Sequence, residues 1–296
     1  MAWLFGFIVI CGAYSTMIQL NSKQALSGLV AQWKTSGKTI GVVMTMGALH
    51  EGHLALVEAA RKDNDHVVAT IFVNPKQFDR AEDLQNYPVD TASDLEKLQA
   101  AGVDAVYLPT PEDIYPQGYA TKIVATAMQD CLCGATRPGH MDGVTTVVSK
   151  LLVRTGADHA YFGQKDYQQF KLVERVAADL DLPVAIVGIP TVREADGLAL
   201  SSRNRRLDRE QRAQAVAIPE ALKSAAAALH SGKSWDEVRA EAEGKILDAG
   251  FSKLDYLDLR RESDLSEVLE LKEGEAVRLF VAGFIGTVRL IDNLPV

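Results

Sequence analysis

Short apolar runs alternate with longer amphipathic stretches between residues 39 and 189. The short runs are rich in β-branched residues and predict strands, whereas the longer stretches repeat their apolar residues every three to four positions and predict helices. Strands and helices that alternate at this pace predict a doubly wound α/β fold, which is a parallel sheet with helices on both faces. The predicted strands are TIGVVMT (39–45), HVVATIFV (66–73), DAVYLP (104–109), DHAYFG (158–163) and PVAIVGI (183–189), and the predicted helices are LALVEAARKDN (54–64), TASDLEKLQAAG (91–102), VTTVVSKLLVRTG (144–156) and DYQQFKLVERVAADLDL (166–182).

The pattern changes after residue 191. A polar stretch, READGLALSSRNRRLDREQ, leads into Ala-rich helical segments and then into the apolar runs KLDYLDLR, AVRLFVAGFIG and VRLIDNL. Helical segments followed by apolar, strand-like runs predict a smaller α+β unit. A chain of 296 residues is long enough for two domains, so we assign residues 17–191 to a large domain and residues 192–296 to a C-terminal lid domain.

Residues 1–16, MAWLFGFIVICGAYST, form an apolar segment. It is too short to span a bilayer comfortably and has no Lys or Arg before it, so it makes a poor signal peptide. The polar NSKQ and the apolar spacing after it predict an amphipathic helix soon after Met17. We therefore expect Met17 to be the true start, the alternatives being a degenerate export signal or a genuine hydrophobic extension.

Charge and cysteine content narrow the classes of partner. Lys and Arg number 31 against 39 Asp and Glu, a net charge of −8, which argues against a general nucleic-acid-binding surface. The three cysteines, Cys11, Cys131 and Cys133, cannot form a disulfide framework, and CLC lacks the spacing of common zinc or redox pairs. A reducing compartment fits this usage.

Ligands of doubly wound sheets bind beyond the carboxyl ends of the strands. Three polar loops follow predicted strands: MGALHEGH (46–53), NPKQFDR (74–80) and GQKDYQQ (163–169). In MGALHEGH, His50 and His53 stand where a helix is predicted to begin. The unpaired N–H groups and positive dipole end of a helix start form an anion site. Solvated or capping side chains are the alternative explanation, and zinc is disfavoured because no Cys or acidic partner completes a ligand set.

Candidate phosphate donors also occur in SSRNRR, at the proposed domain junction, and in GQKDYQQ. Ser201, Ser202 and Arg203 suit a phosphate clamp or, alternatively, a serine-capped helix start. Lys165 follows a predicted strand, where its ammonium can serve as a point charge on a phosphate or simply be a surface lysine.

Amide side chains appear in NPKQFDR and GQKDYQQ. Asn74, Gln77 and Arg80 follow one predicted strand, and Gln168 lies at the start of a predicted helix. Amides suit a small substrate with hydroxyls and a carboxylate, although ordinary loop polarity explains each of them singly. The joint placement of the loops at one sheet edge is the stronger argument for a site.

Five motifs together closely resemble the pantothenate synthetase family, the AMP-forming ligases of pantoate and β-alanine. The resemblance extends in order over residues 17–296, and it implies a Rossmann-like domain with the HxGH signature shared with class I aminoacyl-tRNA synthetases. Met44 departs from the proline usual in the family, and residues 1–16 have no counterpart. The motifs are TMGALHEGH (45–53), FVNPKQFDRAEDLQNYP (72–88), RPGHMDGVTTVVSKLL (137–152), YFGQKDYQQ (161–169) and DGLALSSRNRRL (196–207).

The resemblance also implies roles for individual residues. His50, His53 and Lys165 would be catalytic, with positive charge at the phosphates and His53 as the proton donor. Gln77 and Gln168 would hold pantoate, and Gln77 would also lie near β-alanine. The ligands of Mg²⁺ are left open. The implied ATP site comprises Met46, Gly47, Ala48, Leu49, His50, Glu51, Gly52, His53, Gly163, Gln164, Lys165, Asp166, Val192, Leu200, Ser201, Ser202 and Arg203.

The activity implied by the resemblance is ATP-dependent condensation of (R)-pantoate with β-alanine through a pantoyl adenylate, in a cytoplasmic homodimer without nucleic-acid or membrane partners. One rival is a nucleotidylyltransferase that moves AMP to another small acceptor. A catalytically idle nucleotide-binding module is a second. A tRNA-charging enzyme is disfavoured because the net negative chain offers little to a polyanion.

Overall fold

The computed structural model describes residues 17–296, so the expectations for residues 1–16 lie outside the described residues. Within the described part of the chain, no helix combines the length and apolar character needed to cross a membrane.

Six parallel strands form the main sheet, and helices connect them. The strands are β1 (Ile18–Leu20), β2 (Ile40–Thr45), β3 (His66–Ile71), β4 (Ala105–Tyr107), β5 (His159–Gly163) and β6 (Ala185–Ile189). The helices are α1 (Lys23–Thr35), α2 (Glu51–Asp63), α3 (Ala81–Gln85), α4 (Thr91–Ala100), α5 (Pro111–Ile114), α6 (Leu132–Thr136), α7 (His140–Thr155) and α8 (Tyr167–Asp179).

Alternate residues of each central strand face opposite sides of the sheet, as the strand period requires. In β2, Val42 packs in the cluster that contains α1, α7 and α8, whereas Val43 packs in the cluster that contains α2 and α4. In β5, Phe162 and Tyr161 divide between the same two clusters. Helices therefore cover both faces, which confirms the predicted doubly wound α/β fold.

The strand order is β1-β4-β3-β2-β5-β6. From β2 the chain proceeds to β3 and β4 on one side and later to β5 and β6 on the other. Such a reversal opens a crevice at the carboxyl ends of the two central strands. Here those ends are Thr45 of β2 and Gly163 of β5, so MGALHEGH and GQKD begin on either side of one crevice.

The C-terminal part is a three-stranded antiparallel sheet with helices packed against it, as the predicted α+β unit requires. Apolar residues of α10 and α11, including Leu222 and Ile246, share its core with Leu257 and Leu279 of the sheet. The remaining elements are α9 (Arg209–Gln214), α10 (Ala217–His230), α11 (Trp235–Asp248), β7 (Lys253–Arg261), β8 (Val277–Ile285) and β9 (Val288–Pro295).

Candidate active site

A cavity of about 250 Å³ lies at the crevice between β2 and β5 and is lined by residues from both parts of the chain. Its inner part is apolar, with Phe72, Val147 and Phe162 among its walls, and its other walls carry basic and amide groups. Met44, in the position of the family's usual proline, also lines it. The sequence-predicted residues that line the cavity are Met46, His50, Gly52, His53, Gln77, Gly163, Lys165, Asp166, Val192, Leu200, Ser201, Ser202 and Arg203.

The two histidines of HEGH cap the start of α2 reciprocally. His50 is the N-cap residue, and its Nδ1 accepts a hydrogen bond from the Gly52 N–H over 3.1 Å. Nδ1 of His53 accepts from the His50 N–H over 3.3 Å. This is the arrangement that Ser and Glu make in an ordinary capping box. The capping alternative raised by the sequence is therefore correct, and it does not exclude a role in the cavity.

The capping bonds fix the protonation of both rings. A backbone N–H can only donate, so each Nδ1 is an acceptor and each neutral ring carries its proton on Nε2. Burial and the charge of Lys165 lower the pKa of His50 to about 4. Burial and the neighbouring His50 lower the pKa of His53 to about 3. The two rings are thus neutral N–H donors, whereas the resemblance implies positive charge from both imidazoles at the phosphates.

Glycine is required in HEGH because the His50 ring lies against Gly52. A Cβ atom at Gly52 would stand 2.8 Å from Cε1 and 2.9 Å from Nδ1 of His50. Any larger residue would push the ring away from its capping bond. Gly52 therefore leaves the room that the ring of His50 needs for its capping bond.

Helix α4 holds the loop that precedes the histidines. Gly47 and Ala48 have φ values of 83° and 52°, so this loop adopts a conformation that is costly for Ala. The Asp94 carboxylate, 1% exposed, accepts from the N–H groups of Ala48 and Leu49 over 2.8 and 2.7 Å. The Lys97 ammonium donates to the Leu49 carbonyl over 2.9 Å. Gly47, Ala48 and Leu49 consequently support the site from behind rather than lining it.

Basic and hydroxyl groups line the cavity together with the histidines. Lys165 stands in a 3₁₀ turn, Gln164–Asp166, between β5 and α8, and its side chain is 17% exposed. Ser201 caps the next 3₁₀ turn by accepting from the Arg203 N–H over 3.2 Å, as the helix-capping alternative predicts. Burial, followed by the charge of Arg137, lowers the pKa of Arg203. The arrangement offers several donors to an anion.

Gln77 lies beside Met46 on the cavity wall, and its side chain is held in place. Its Nε2 lies 3.1 Å from Sδ of Met46, and its Oε1 accepts from Asn74 over 3.0 Å. Asn74 itself is 1% exposed and also lines the cavity. By contrast, Arg80 pairs with Glu82 over 3.2 Å and is not among the lining residues.

The sequence reasoning did not assign Arg137 and His140, although both occur in the RPGHMDG motif that it singled out. The Gln77 carbonyl accepts from Nδ1 of His140 over 2.7 Å, which leaves Nε2 to accept from Arg137 over 3.0 Å. Burial, followed by the charge of Arg137, lowers the pKa of His140 to about 4. Arg137 also pairs with Asp79 over 2.7 Å. A cation held this firmly suits a carboxylate ligand.

The structure brings Gln169 to the cavity and turns Gln168 away from it, which corrects the sequence-based placement. Gln168 is 5% exposed. Its Nε2 donates to the carbonyls of Met128 and Cys131 over 2.7 and 2.9 Å, and its Oε1 accepts from the Cys133 N–H over 3.0 Å. Because these partners use the amide nitrogen and the amide oxygen, the side chain anchors a loop and has few hydrogen-bonding positions left for a substrate.

Two further predicted residues also lie outside the cavity lining. Glu51 is exposed in the first turn of α2. Gln164 precedes Lys165, and its side chain lies against β6. Its Nε2 is 3.0 Å from the position that a Cβ atom would take at Gly188.

Asp166 is the single carboxylate among the described residues that line the cavity. It is half-exposed, and one of its oxygens lies 3.9 Å from the Lys165 ammonium. Within residues 17–296, no group of three or more His, Cys, Asp or Glu is arranged to hold a metal ion. Mg²⁺ is usually bound by one or two carboxylates together with substrate phosphates. The residues therefore fit a metal ion that binds together with a polyphosphate.

Comparison with known proteins decides the family. The model of the family described as Pantoate-beta-alanine ligase matches residues 19–295. The chain belongs to the pantoate–β-alanine ligase family. A pantothenate synthetase of Cereibacter sphaeroides is 52% identical over 277 residues, covering 94% of this chain and 99% of the relative. One from a Ruegeria species is 49% identical over 271 residues, covering 92% and 96%.

Solved structures of the pantoate–β-alanine ligase family have the same fold. A pantothenate synthetase of Thermus thermophilus superposes with a TM-score of 0.87 at 42% identity and covers 94% of this chain and 99% of its own. The ligase of Francisella tularensis, described as complexed with Beta-gamma ATP and Beta-alanine, gives a TM-score of 0.81 at 35% identity and covers 94% and 97%. These matches confirm the resemblance seen in the motifs.

Proposed function

We propose that this protein condenses pantoate with β-alanine to form pantothenate, using ATP and releasing AMP and pyrophosphate through a pantoyl adenylate. The observation that carries the proposal is one cavity with neutral imidazole N–H donors and a lysine on one side and amide groups beside an apolar wall on the other. Membership of the pantoate–β-alanine ligase family supports the substrates.

The proposed ATP site uses the donor-rich side of the cavity. His50, His53, Lys165 and Arg203 would contact the phosphates, with Val192 near the adenine. When the pantoate carboxylate attacks the α-phosphorus, negative charge develops on the oxygen that bridges to pyrophosphate. Donors fixed at that point stabilise the transition state more than the ground state. Mg²⁺ bound with ATP would neutralise part of the phosphate charge, with Asp166 as its protein ligand.

The proposed pantoate site uses the apolar inner wall and the amides. Pantoate combines two methyl groups with two hydroxyls and a carboxylate. Phe72 and Val147 offer contacts for the methyl groups, and Gln77 and Gln169 offer hydrogen bonds for the polar groups. We therefore replace Gln168 by Gln169 in this role. The neutral amides also argue against the rival acceptor of a nucleotidylyltransferase, because a phosphate-bearing acceptor needs a basic pocket.

The second step would be attack of the β-alanine amine on the acyl carbon of the adenylate, which forms the amide bond and breaks the bond to AMP. Arg137 lies 3.5 Å from the Gln77 carbonyl and would hold the β-alanine carboxylate on that side. Exclusion of water matters in this step because the adenylate otherwise hydrolyses.

A substrate-omission assay tests the proposal. The protein is incubated with ATP, Mg²⁺, pantoate and β-alanine, and pantothenate and AMP are measured by mass spectrometry. Labelled pyrophosphate should exchange into ATP when pantoate is present and β-alanine is absent. A Lys165→Ala protein purified in parallel controls for contaminating enzyme. Absence of pantothenate would overturn the function, and exchange that requires β-alanine would overturn the two-step order.

Homodimerisation and a cytoplasmic location remain predictions that come from the family resemblance alone. Sedimentation of the purified protein tests the former.

A further inference from the structure

Asn293, near the end of β9, reaches across to the turn that carries Lys165. Its side chain is 2% exposed. Its Nδ2 donates to the carbonyl of Gln164 over 2.9 Å and to the carbonyl of Lys165 over 2.8 Å. Both hydrogens of the amide group are thus used on the backbone of a segment that lies 128 residues earlier in the chain.

The turn has no side-chain cap of its own. It comprises three residues, Gln164–Asp166, between β5 and α8. Gly163 makes no side-chain cap at its start, and Asp166 makes none at the start of α8. Among the described residues, Asn293 therefore supplies the side chain that holds the two carbonyls, and it comes from the C-terminal sheet.

The Asn293 amide is itself held in one orientation. Its Oδ1 accepts from Nη1 of Arg278 over 2.6 Å, so the amide nitrogen must face the two carbonyls. Arg278 is 7% exposed and pairs with Glu262 over 2.7 Å. The Asn293 N–H donates to Asp292, whose carboxylate pairs with Arg193 over 2.6 Å.

This network is satisfied on every side. Buried polar networks whose members all have partners are rigid, whereas a lost partner leaves a desolvated group at a high free-energy cost. A rigid support is what a catalytic ammonium needs, because a displacement of about 1 Å can cost about 10²-fold in rate.

We propose that Asn293 is a positioning residue: it fixes the turn that aims Lys165 into the cavity and thereby links the C-terminal sheet to the reaction. The kinetic part of this proposal rests on the function proposed above, whereas its structural part does not. The two parts are tested separately.

The structural test is hydrogen exchange of the backbone amides in residues 160–170, followed by mass spectrometry. Asn293→Ala removes both donors, and we expect faster exchange in this segment. Val281→Ala is the matched control, because Val281 is fully buried in β8 of the same sheet but belongs to the C-terminal core. Equal exchange in the two variants would overturn the proposal even if the enzyme had another substrate.

The kinetic test is pantoate-dependent exchange of pyrophosphate into ATP. Asn293→Asp keeps the shape and the oxygen that faces Arg278, but it places a second oxygen against the two carbonyls. We expect a fall of at least about 10-fold in the maximal exchange rate, with the KM for pantoate nearly unchanged. Val281→Ala should keep its rate at temperatures where it is folded.

A double-mutant cycle separates positioning from general stability. If Asn293 acts through Lys165, Asn293→Asp should lower the residual rate of Lys165→Ala by less than about twofold. A full 10-fold loss in that background would overturn the proposal. Should Asn293→Asp fail to fold, Asn293→Ala takes its place in the same cycle.

Discussion

His50 and His53 each use one ring nitrogen for the backbone and keep the other for the cavity. The sequence predicted a helix start and an anion site at this point, because the signals involved are local. It could not predict that the rings are neutral, since their pKa values depend on burial and on Lys165, which lies more than a hundred residues away in the chain. Capping and phosphate binding are therefore compatible uses of the same side chains.

Neutral histidines make stability depend on pH. The pKa of His53 is about 3 in the folded protein against 6.5 ordinarily, so below pH 6.5 the unfolded chain binds a proton that the folded one does not. Stability should fall as the pH decreases from 6.5 towards 3. We expect the wild type to lose of the order of 1 kcal/mol more than His53→Gln between pH 7 and pH 5, as measured by urea unfolding.

Gln at this position can still accept from the His50 N–H, so the variant keeps the cap while losing the titrating ring. His230→Gln, at an exposed site near the end of α10, is the control and should behave like the wild type. Identical pH dependence in the wild type and His53→Gln would show that the ring of His53 is not held neutral.

At the scale of helices and loops, the prediction that Gln168 rather than Gln169 faces the cavity was wrong for a geometric reason. Neighbouring residues on a helix point about 100° apart, so the residue that faces the cavity depends on where the helix begins. The 3₁₀ turn Gln164–Asp166 sets that start, and the sequence pattern carries no sign of it. Helix α4 was predicted, but its hydrogen bonds to the Gly47–Leu49 loop were not, because Asp94 lies 46 residues later in the chain than Ala48.

Asp94→Asn tests the hydrogen bonds between α4 and this loop. The new amide can accept from one of the two N–H groups but must turn its NH₂ towards the other, leaving a buried donor unsatisfied. We expect a loss of about 1–3 kcal/mol in the free energy of unfolding and a higher KM for ATP. Urea unfolding and the exchange assay measure the two effects.

Asp90→Asn is the matched control, because it makes the same substitution at the exposed N-cap of α4, where Asn caps as well as Asp. If both variants had the same stability and the same KM for ATP, the bonds from Asp94 to the Gly47–Leu49 loop would have no role in function.

At the scale of the whole molecule, the alternation of strands and helices was enough to predict the fold class and the sheet edge that holds the cavity. The ion pair beside that cavity was not predictable, because it joins two segments far apart in the chain. Arg206, at the end of the 3₁₀ turn Ser202–Arg206, pairs with Asp83 of α3 over 3.4 Å. Tyr87, Ser202 and Arg203 line both the cavity and a small pocket that also contains this ion pair.

We expect the Asp83–Arg206 pair to affect how much of the adenylate is converted to pantothenate rather than hydrolysed. The pair is partly exposed, so Arg206→Asp should change the free energy of unfolding by less than about 1 kcal/mol. Its larger effect should be on the exclusion of water, because two acidic side chains would then repel each other beside Tyr87, Ser202 and Arg203 of the cavity wall, and this repulsion would admit water to the adenylate. We expect more AMP released per pantothenate formed, and AMP release with pantoate alone.

The charge-swapped pair Asp83→Arg with Arg206→Asp should restore the ratio of AMP to pantothenate if the contact itself excludes water. An unchanged ratio of AMP to pantothenate in Arg206→Asp would show instead that water is excluded by the inner walls of the cavity, and that this contact between the two parts of the chain is incidental.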